Sequence, residues 1–140
     1  MINMDLDLSA ATAQMDNIKR AAEKAIRPAA QAGAQVYYAE VKLRAKRGNE
    51  VRHLKGGRTR PAGLLASAIY QVYSKDNSGQ DRATYHISWN ARIAPHGHLV
   101  ERGTSRAPAS PFVRPSFDAK RIAAEAAVNA ELQKRIKDAL

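Results

Sequence analysis

The sequence predicts a small α+β protein with a long N-terminal helix, a small antiparallel sheet, a proline-rich loop and a C-terminal helix. Apolar residues recur at intervals of three and four early in the chain, two alternating stretches flank a polar turn, and four of the six prolines lie between residues 94 and 115. A length of 140 residues fits a single domain. We divide it into a helix and basic loop (1–60) and a sheet, proline arm and C-terminal helix (61–140).

The N-terminal helix is predicted from its periodic apolar face. Ser9 or Thr12 can cap its start. Pro28 lies inside the periodic stretch, so we expect the helix to be broken or bent there. The face is mostly alanine and buries little area, so we expect neighbouring subunits to hold this helix more than its own domain does. Its members are Met15, Ile18, Ala22, Ala25, Ala29, Ala32, Val36, Ala39 and Leu43.

Positive charge is concentrated between residues 19 and 60, which hold twelve Lys and Arg against three Glu, a net of +9 of the chain's +10. Residues 44–60 also contain three glycines, which indicates a flexible basic loop. Two interpretations stay open for it: contact with phosphate groups, and ordinary solvated charge. The candidate contact residues are Lys46, Arg47, Arg52, Lys55, Arg58 and Arg60.

The middle of the chain predicts a hairpin. Residues 61–68 fit a short helix with Pro61 in its first turn. Residues 69–74 and 83–90 alternate and are rich in aromatic and β-branched side chains, which indicates two antiparallel strands. Residues 75–81 contain the usual turn formers. We interpret the strand aromatics as packing residues rather than as a cofactor site.

The last helix is predicted to begin with Pro115 at its first position and Asp118 in its first turn. Residues 94–115 before it contain too many prolines to be a helix or a central strand, although they carry apolar side chains that need burial. We therefore expect a long functional loop. The predicted inner face of the helix is Ile122, Ala126, Asn129, Leu132, Ile136 and Leu140.

Few residues suggest chemistry. The chain has no cysteine and no apolar run long enough to cross a membrane. His96, His98 and Glu101 form an H-x-H-x-x-E cluster that could bind zinc in principle, and a metal-dependent nuclease is one alternative. A stand-alone basic nucleic-acid-binding protein is another. We expect no cofactor, no metal and no enzymatic activity.

The most specific pattern surrounds the proline-rich loop. One group of residues reads His-Leu-Val-Glu-x-Gly-Thr, and a second reads Pro-Phe-x-Arg-Pro-x-Phe-Asp. This pattern resembles the tail-completion, or neck, proteins of tailed bacteriophages, over residues 60–140, with residues 9–47 matching only as a generic helix. The residues are His98, Leu99, Val100, Glu101, Gly103, Thr104, Pro111, Phe112, Arg114, Pro115, Phe117 and Asp118.

The resemblance implies a structural virion protein, made in the host cytoplasm, that completes the tail and joins it to the head. Its implied partners are copies of itself in a hexameric ring at the head-proximal end of the tail, head-closure or connector proteins, and tail terminator or tail tube proteins. The basic residues would then face genome DNA in the channel, without sequence specificity, or an acidic partner ring. No membrane contact is implied.

The sharpest hypothesis concerns residues 104–115. We expect this stiff arm to leave its own subunit and bury Phe112 against a neighbour, with Glu101 as the first candidate partner of Arg114. The alternative is that Phe112 packs in the hairpin core of its own chain. The predicted interface residues are Leu99, Val100, Glu101, Pro111, Phe112, Val113, Arg114 and Phe117.

Overall fold

The computed structural model describes residues 7–45, 52–53, 55–57 and 59–139. Within them the chain forms four helices and two small antiparallel sheets, which confirms the predicted α+β class. In chain order the elements are α1 (Ser9–Arg44), β1 (Arg52–His53), β2 (Thr59–Arg60), α2 (Leu64–Ser67), β3 (Ile69–Ser74), β4 (Thr84–Trp89), α3 (Gly97–Arg102) and α4 (Val113–Lys137).

The predicted hairpin is confirmed. Strands β3 and β4 pair in antiparallel register from Ile69 opposite Trp89 to Ser74 opposite Thr84. Ile69 is buried and Trp89 packs against the same core, whereas Tyr70 and His86 are exposed on the other face. Burial alternates over the first residues of β3, following the two-residue period of a half-buried sheet, whereas most of β4 is half-buried.

Helix α1 continues through Pro28, so of the two predicted outcomes, a break or a bend, the break is wrong. A proline inside a helix removes one backbone hydrogen bond, but packing can carry the helix past it. Ala25 and Ala29, on either side of Pro28, are both buried. The predicted caps are also wrong: Leu8 occupies the N-cap position, and Thr12 donates its hydroxyl to backbone carbonyls instead.

Helices α1 and α4 form a close antiparallel pair. A Cβ atom added at Gly33 would lie 2.6 Å from Val128 Cγ2, so glycine is needed for the helices to approach this closely. Further along, the rings of Tyr37 and Phe117 stack with centroids 4.4 Å apart. The pair is therefore held mainly by small residues and one aromatic stack.

The buried face of α1 agrees with the prediction only at Ala25 and Ala29, and the buried face of α4 differs from the prediction. Along α1 the buried residues follow each other at intervals near four, so the face rotates around the helix and leaves Met15 and Leu43 exposed. On α4 the predicted inner residue Ile122 is 82% exposed, and the buried positions are Ser116 and Ala124. Ala25 and Ala29 were predicted on the α1 face and are buried, whereas the larger predicted residues at its ends are not. The buried residues of α1 are Ala21, Ala25, Ala29, Gly33, Ala34, Glu40 and Val41.

The main core lies where the C-terminal end of α1 meets the sheet and the start of α4. Phe112 is its largest fully buried side chain, and Tyr38, Trp89 and Val100 pack around it. The buried members of this cluster are Val41, Ala45, Leu65, Ala66, Ala68, Ile69, Ala94 and Phe112.

Between α1 and α2 the described residues contain more order than a flexible loop. β1 and β2 pair as a short hairpin, and Gly56 and Gly57 both adopt positive φ angles of the kind a tight turn requires. The following helix begins at Leu64, after Gly63 in a left-handed conformation, so Pro61 precedes it rather than opening it. None of the helices in the described part of the chain is long and apolar enough to cross a membrane.

Candidate interaction site

The proline-rich stretch contains a short helix, contrary to the prediction that it could hold none. Helix α3 fits between Pro95 and Pro108, so neither proline lies inside it. Leu99 and Val100 donate their N–H groups to the His96 carbonyl at 3.0 and 3.1 Å. The prolines therefore limit the length of the helix without preventing it.

Helix α3 is packed tightly onto the sheet at Gly97. A Cβ atom at this position would collide with the indole ring of Trp89. His96 precedes it and is half-buried, and its Nδ1 atom has no hydrogen-bond partner among the described residues. Burial lowers the pKa of His96 below its usual range, and the positive charge of Arg60 lowers the same pKa further.

Glu101 joins α3 to the start of α4. Its carboxylate accepts three backbone hydrogen bonds, from the N–H groups of Phe112 at 2.7 Å, Val113 at 3.1 Å and Arg114 at 3.3 Å. The N–H groups at the start of a helix have no partner inside the helix, and a negative charge there is favourable. Glu101 therefore acts as a side-chain cap for α4, supplied from a different element.

Pro115 completes this arrangement, although not at the predicted position. The helix begins at Val113, so Pro115 is its third residue and Asp118 lies beyond its first turn. A proline there has no N–H group to satisfy. Ser116 donates its hydroxyl to the Phe112 carbonyl. Every N–H group from Phe112 to Arg114 is thus bound to Glu101, and the next position lacks one.

The predicted pairing of Glu101 with the Arg114 side chain is wrong. Glu101 binds the backbone N–H of Arg114, and no ion pair joins the two side chains. A carboxylate already aligned with the helix start gains more from three N–H groups than from one exposed guanidinium.

Phe112 lies inside its own chain. Its side chain is 0% exposed and its ring centroid lies 5.7 Å from that of Trp89. The prediction that Phe112 docks on a neighbouring subunit is therefore wrong for this structure, and the alternative of packing in its own hairpin core is what the structure shows. The sequence correctly indicated that Phe112 needs to be buried, but the residues that bury it belong to the same chain.

The rest of the arm, residues 104–111, is exposed and held at both ends. Gly103 has φ of 79° and approaches Ala109 so closely that a Cβ atom would lie 2.7 Å from its backbone nitrogen. Ser110 donates its N–H to the Val100 carbonyl at 2.8 Å. Thr104 Oγ1 accepts from the N–H of Ala107 at 3.0 Å. The arm is a compact, pre-ordered surface loop.

Of the eight predicted interface residues, four expose their side chains in this structure. Leu99 is 44% exposed and Phe117 is 56% exposed, the latter while stacked on Tyr37. Pro111 and Arg114 are also exposed. Glu101, Val100 and Val113 are half-buried and serve the chain's own packing.

The H-x-H-x-x-E cluster is not assembled into a metal site. No group of three or more potential ligands is gathered within residues 7–45, 52–53, 55–57 and 59–139. His98 is exposed, His96 turns into the protein, and the Glu101 carboxylate is occupied by N–H groups. The geometry gives the nuclease alternative no support.

The basic candidates are only partly covered by the structure. Lys46, Arg47 and Arg58, with the side chain of Arg52, lie outside the described residues. Lys55 is exposed at the turn of the β1–β2 hairpin, and Arg60 is half-buried with its charge near His96.

Two surfaces were not anticipated from the sequence. One is an apolar groove of about 700 Å³ between α1, α4 and β4, lined by Tyr37, Ile87 and Phe117 among others. The other is the exposed apolar side chain of Ile93, 48% exposed beside α3.

The geometry defines a small α+β protein with a capped junction between two helices and an exposed arm. A model of the family described as "Bacteriophage HK97-gp10, putative tail-component" matches residues 9–103, and the chain belongs to this family. It is therefore a tail component of a tailed bacteriophage, consistent with the resemblance to tail-completion proteins. No curated protein and no solved structure matches the chain.

The matched residues extend from α1 to Gly103. They include α1, which the sequence had identified only as a generic helix, and the motif around Leu99 and Glu101. The second half of the motif, Pro111 to Asp118, lies outside the matched residues.

Proposed function

We propose that this chain is a structural protein, without enzymatic activity, that forms a hexameric ring at the head-proximal end of the phage tail and joins the tail to the head. The observation that carries the proposal is the family match, which covers α1, the hairpin and α3. Its proposed partners are copies of itself, head-closure or connector proteins, and tail terminator or tail tube proteins. It would assemble in the host cytoplasm and remain in the virion.

The shape of the surface supports a role in assembly. Large apolar side chains such as Met15, Leu99 and Ile122 are exposed, while the contact between the long helices is made mainly by small residues and one aromatic stack. The arm is already ordered before any partner binds, which lowers the conformational entropy lost on association. These features suit a protein whose apolar surface is covered by other subunits.

The test is a phage in which this gene is deleted. We expect electron micrographs to show filled heads and finished tails that are not joined, and complementation with the wild-type chain to restore whole particles. Particles joined normally without the protein would overturn the proposal. A mass measurement on the purified chain should give six copies per ring.

The basic residues give a second test, because they separate a ring around DNA from a stand-alone DNA-binding protein. Neutralising the six predicted basic residues together should weaken assembly at moderate salt and leave the thermal melt nearly unchanged. A large fall in melting temperature would show that these charges serve the fold. Tight, steeply salt-dependent DNA binding by the isolated monomer would instead favour the nucleic-acid-binding alternative.

A further inference from the structure

We propose that a basic stripe along α1 binds the phosphate backbone of double-stranded DNA. The inference rests on the proposed function, a ring through which the genome passes, and assigns the surface that contacts the DNA. This surface is separate from the basic loop of residues 44–60. The basic stripe is formed by Arg20, Lys24, Arg27, Gln31, Gln35 and Lys42.

The basic stripe occupies one side of the helix. Its residues follow each other at intervals of three, four or seven, so they fall within about 80° of the helix circumference. Five of them are exposed and Lys42 is half-buried. Helix α4 lies on the opposite side, where Gly33 approaches Val128 and Glu40 pairs with Lys120. At 1.5 Å per residue the stripe is about 33 Å long, close to one turn of B-DNA.

The basic stripe carries positive charge and no carboxylate. Its four cations form no ion pair with a carboxylate of the described residues. The two carboxylates of α1 between the ends of the stripe point elsewhere: Glu23 accepts a hydrogen bond from Gln80 at 3.4 Å, and Glu40 is buried. Asp16 lies one turn before the stripe begins. The four positive charges are therefore available to a ligand.

A groove beside the stripe adds uncharged hydrogen-bond donors. It has a volume of about 450 Å³ and lies between α1 and the β3–β4 sheet. Gln and Tyr, like Arg and Lys, donate hydrogen bonds to the phosphates of DNA. Among the described residues, no acidic side chain lines the groove. Its polar lining residues are Gln31, Gln35, Tyr38, Tyr70, Gln71 and Tyr85.

Aromatic contacts hold two of the cations next to this groove. The Arg27 guanidinium lies 4.3 Å from the ring centroid of Tyr73, and that ring packs against Tyr85 with centroids 5.4 Å apart. Lys42 Nζ lies 5.4 Å from the ring centroid of Tyr38 and 3.4 Å from its hydroxyl oxygen. Because Tyr38 and Tyr85 both line the groove, the cations, the rings and the groove form one continuous surface. Side chains that are already held in place lose less entropy on binding.

The composition of the basic stripe favours DNA over an acidic protein as its ligand. Stable protein–protein interfaces have an apolar core, whereas protein–DNA interfaces are more polar and more positively charged. The stripe contains no apolar side chain, and the exposed Met15 and Leu43 of α1 lie outside it. A DNA duplex presents phosphates along the full length of such a stripe.

Fluorescence anisotropy of a labelled duplex of about 30 base pairs, mixed with the purified chain, tests the site. Two variants each lose three exposed positive charges. The stripe variant carries Arg20→Gln, Lys24→Gln and Arg27→Gln. The control variant carries Arg92→Gln, Arg102→Gln and Arg106→Gln.

We expect the wild-type monomer to bind weakly, with a Kd of about 1–10 μM at about 50 mM salt. Four phosphate contacts predict that its affinity falls at least about 150-fold between about 50 and 200 mM salt. In the stripe variant the slope of log K against log salt should shrink by about 2.7, which is about 0.9 for each lost contact, and in the control variant by less than about 0.5. Poly-glutamate at equal charge should displace the duplex less well than unlabelled duplex does.

The melting temperatures of both variants are measured in parallel. If the stripe variant is destabilised because Arg27 no longer contacts Tyr73, the variant with only Arg20→Gln and Lys24→Gln replaces it, with an expected change in slope of about 1.8.

Four results would each overturn the inference: no binding by the wild-type chain at low salt, equal slopes for the stripe variant and the wild type, an equal loss in the control variant, or equal displacement by poly-glutamate. The last would indicate an acidic protein as the ligand. Nanomolar binding by the monomer that the stripe variant abolishes would support the site but overturn the ring. If rings form and join tails to heads while the stripe variant binds DNA like the wild type, only this site is wrong.

Discussion

Replacing Glu101 with Ala should destabilise the protein strongly, because one carboxylate satisfies three N–H groups at the start of α4. The two bonds at 2.7 and 3.1 Å are partly buried, and each hydrogen bond to a charged group is worth about 1.5 kcal/mol. The third, at 3.3 Å, is exposed and adds little. The loss is therefore about 3 kcal/mol, or a fall in melting temperature of about 10 °C for a chain of this size.

The assay is urea or thermal unfolding, followed by the fluorescence of the chain's single tryptophan. Glu101→Gln keeps an acceptor oxygen but loses the charge, so its effect should be about half as large. Glu125→Gln is the control, since Glu125 forms only an exposed ion pair with Arg121 and should change stability by less than about 0.5 kcal/mol. A similarly small effect for Glu101→Ala would refute the assigned capping role.

Three further predictions follow from the same region. Gly97→Ala should lower the free energy of unfolding by about 1–3 kcal/mol and shift the fluorescence emission of Trp89, because the added methyl group overlaps the indole ring. Gly79→Ala is the control and should change neither, because a Cβ atom there meets nothing within 4 Å. Phe112→Ala should lower the free energy of unfolding of the monomer by about 3–5 kcal/mol, measured by urea titration. A variant that stays fully stable but fails to assemble would instead support docking of Phe112 on a neighbouring subunit. The folded protein lowers the pKa of His96 below its usual value of 6.5. The neutral side chain therefore contributes to stability fully above pH 6.5, and this contribution is lost as the pH falls through the folded-state pKa. His96→Gln should flatten the stability profile in that acidic range, and an unchanged profile would contradict this.

The fold was largely predictable because its elements carry strong local signals. Strand β3 matches the predicted range of residues 69–74, because alternating aromatic and β-branched residues on either side of a polar turn strongly favour a β-hairpin. The sequence predicted a long helix α1 but not that it continues past Pro28, because the packing of the alanines around this residue is a tertiary effect. Apart from Ala25 and Ala29, the buried positions of α1 and α4 were misassigned for the same reason: Gly33 shows that the helices approach closely, and no periodicity reveals that distance.

The candidate site was predictable in its residues and not in their contacts. Glu101, Phe112 and Arg114 were all selected from the sequence, and the structure does bring them together. Their partners differ, since Glu101 binds backbone N–H groups and Phe112 packs on Trp89. Sequence identifies a carboxylate and an aromatic ring that need partners. The sequence does not indicate whether these partners lie in the same chain, as the backbone N–H of Phe112 does for Glu101, or in another subunit.

The distribution of large and small side chains connects this fold to assembly. Within the described residues, the buried large apolar side chains are few, Phe112, Leu65, Ile69 and Val41, and most other buried core positions are alanines, so the folded monomer buries little apolar area per core residue. The larger apolar groups of α1 and α4 are exposed instead, Met15 and Ile122 among them. Covering such groups between subunits stabilises an oligomer by the same hydrophobic effect that normally stabilises a core. The thermal stability of this protein should therefore rise with its concentration, because part of its apolar burial is completed only when copies meet.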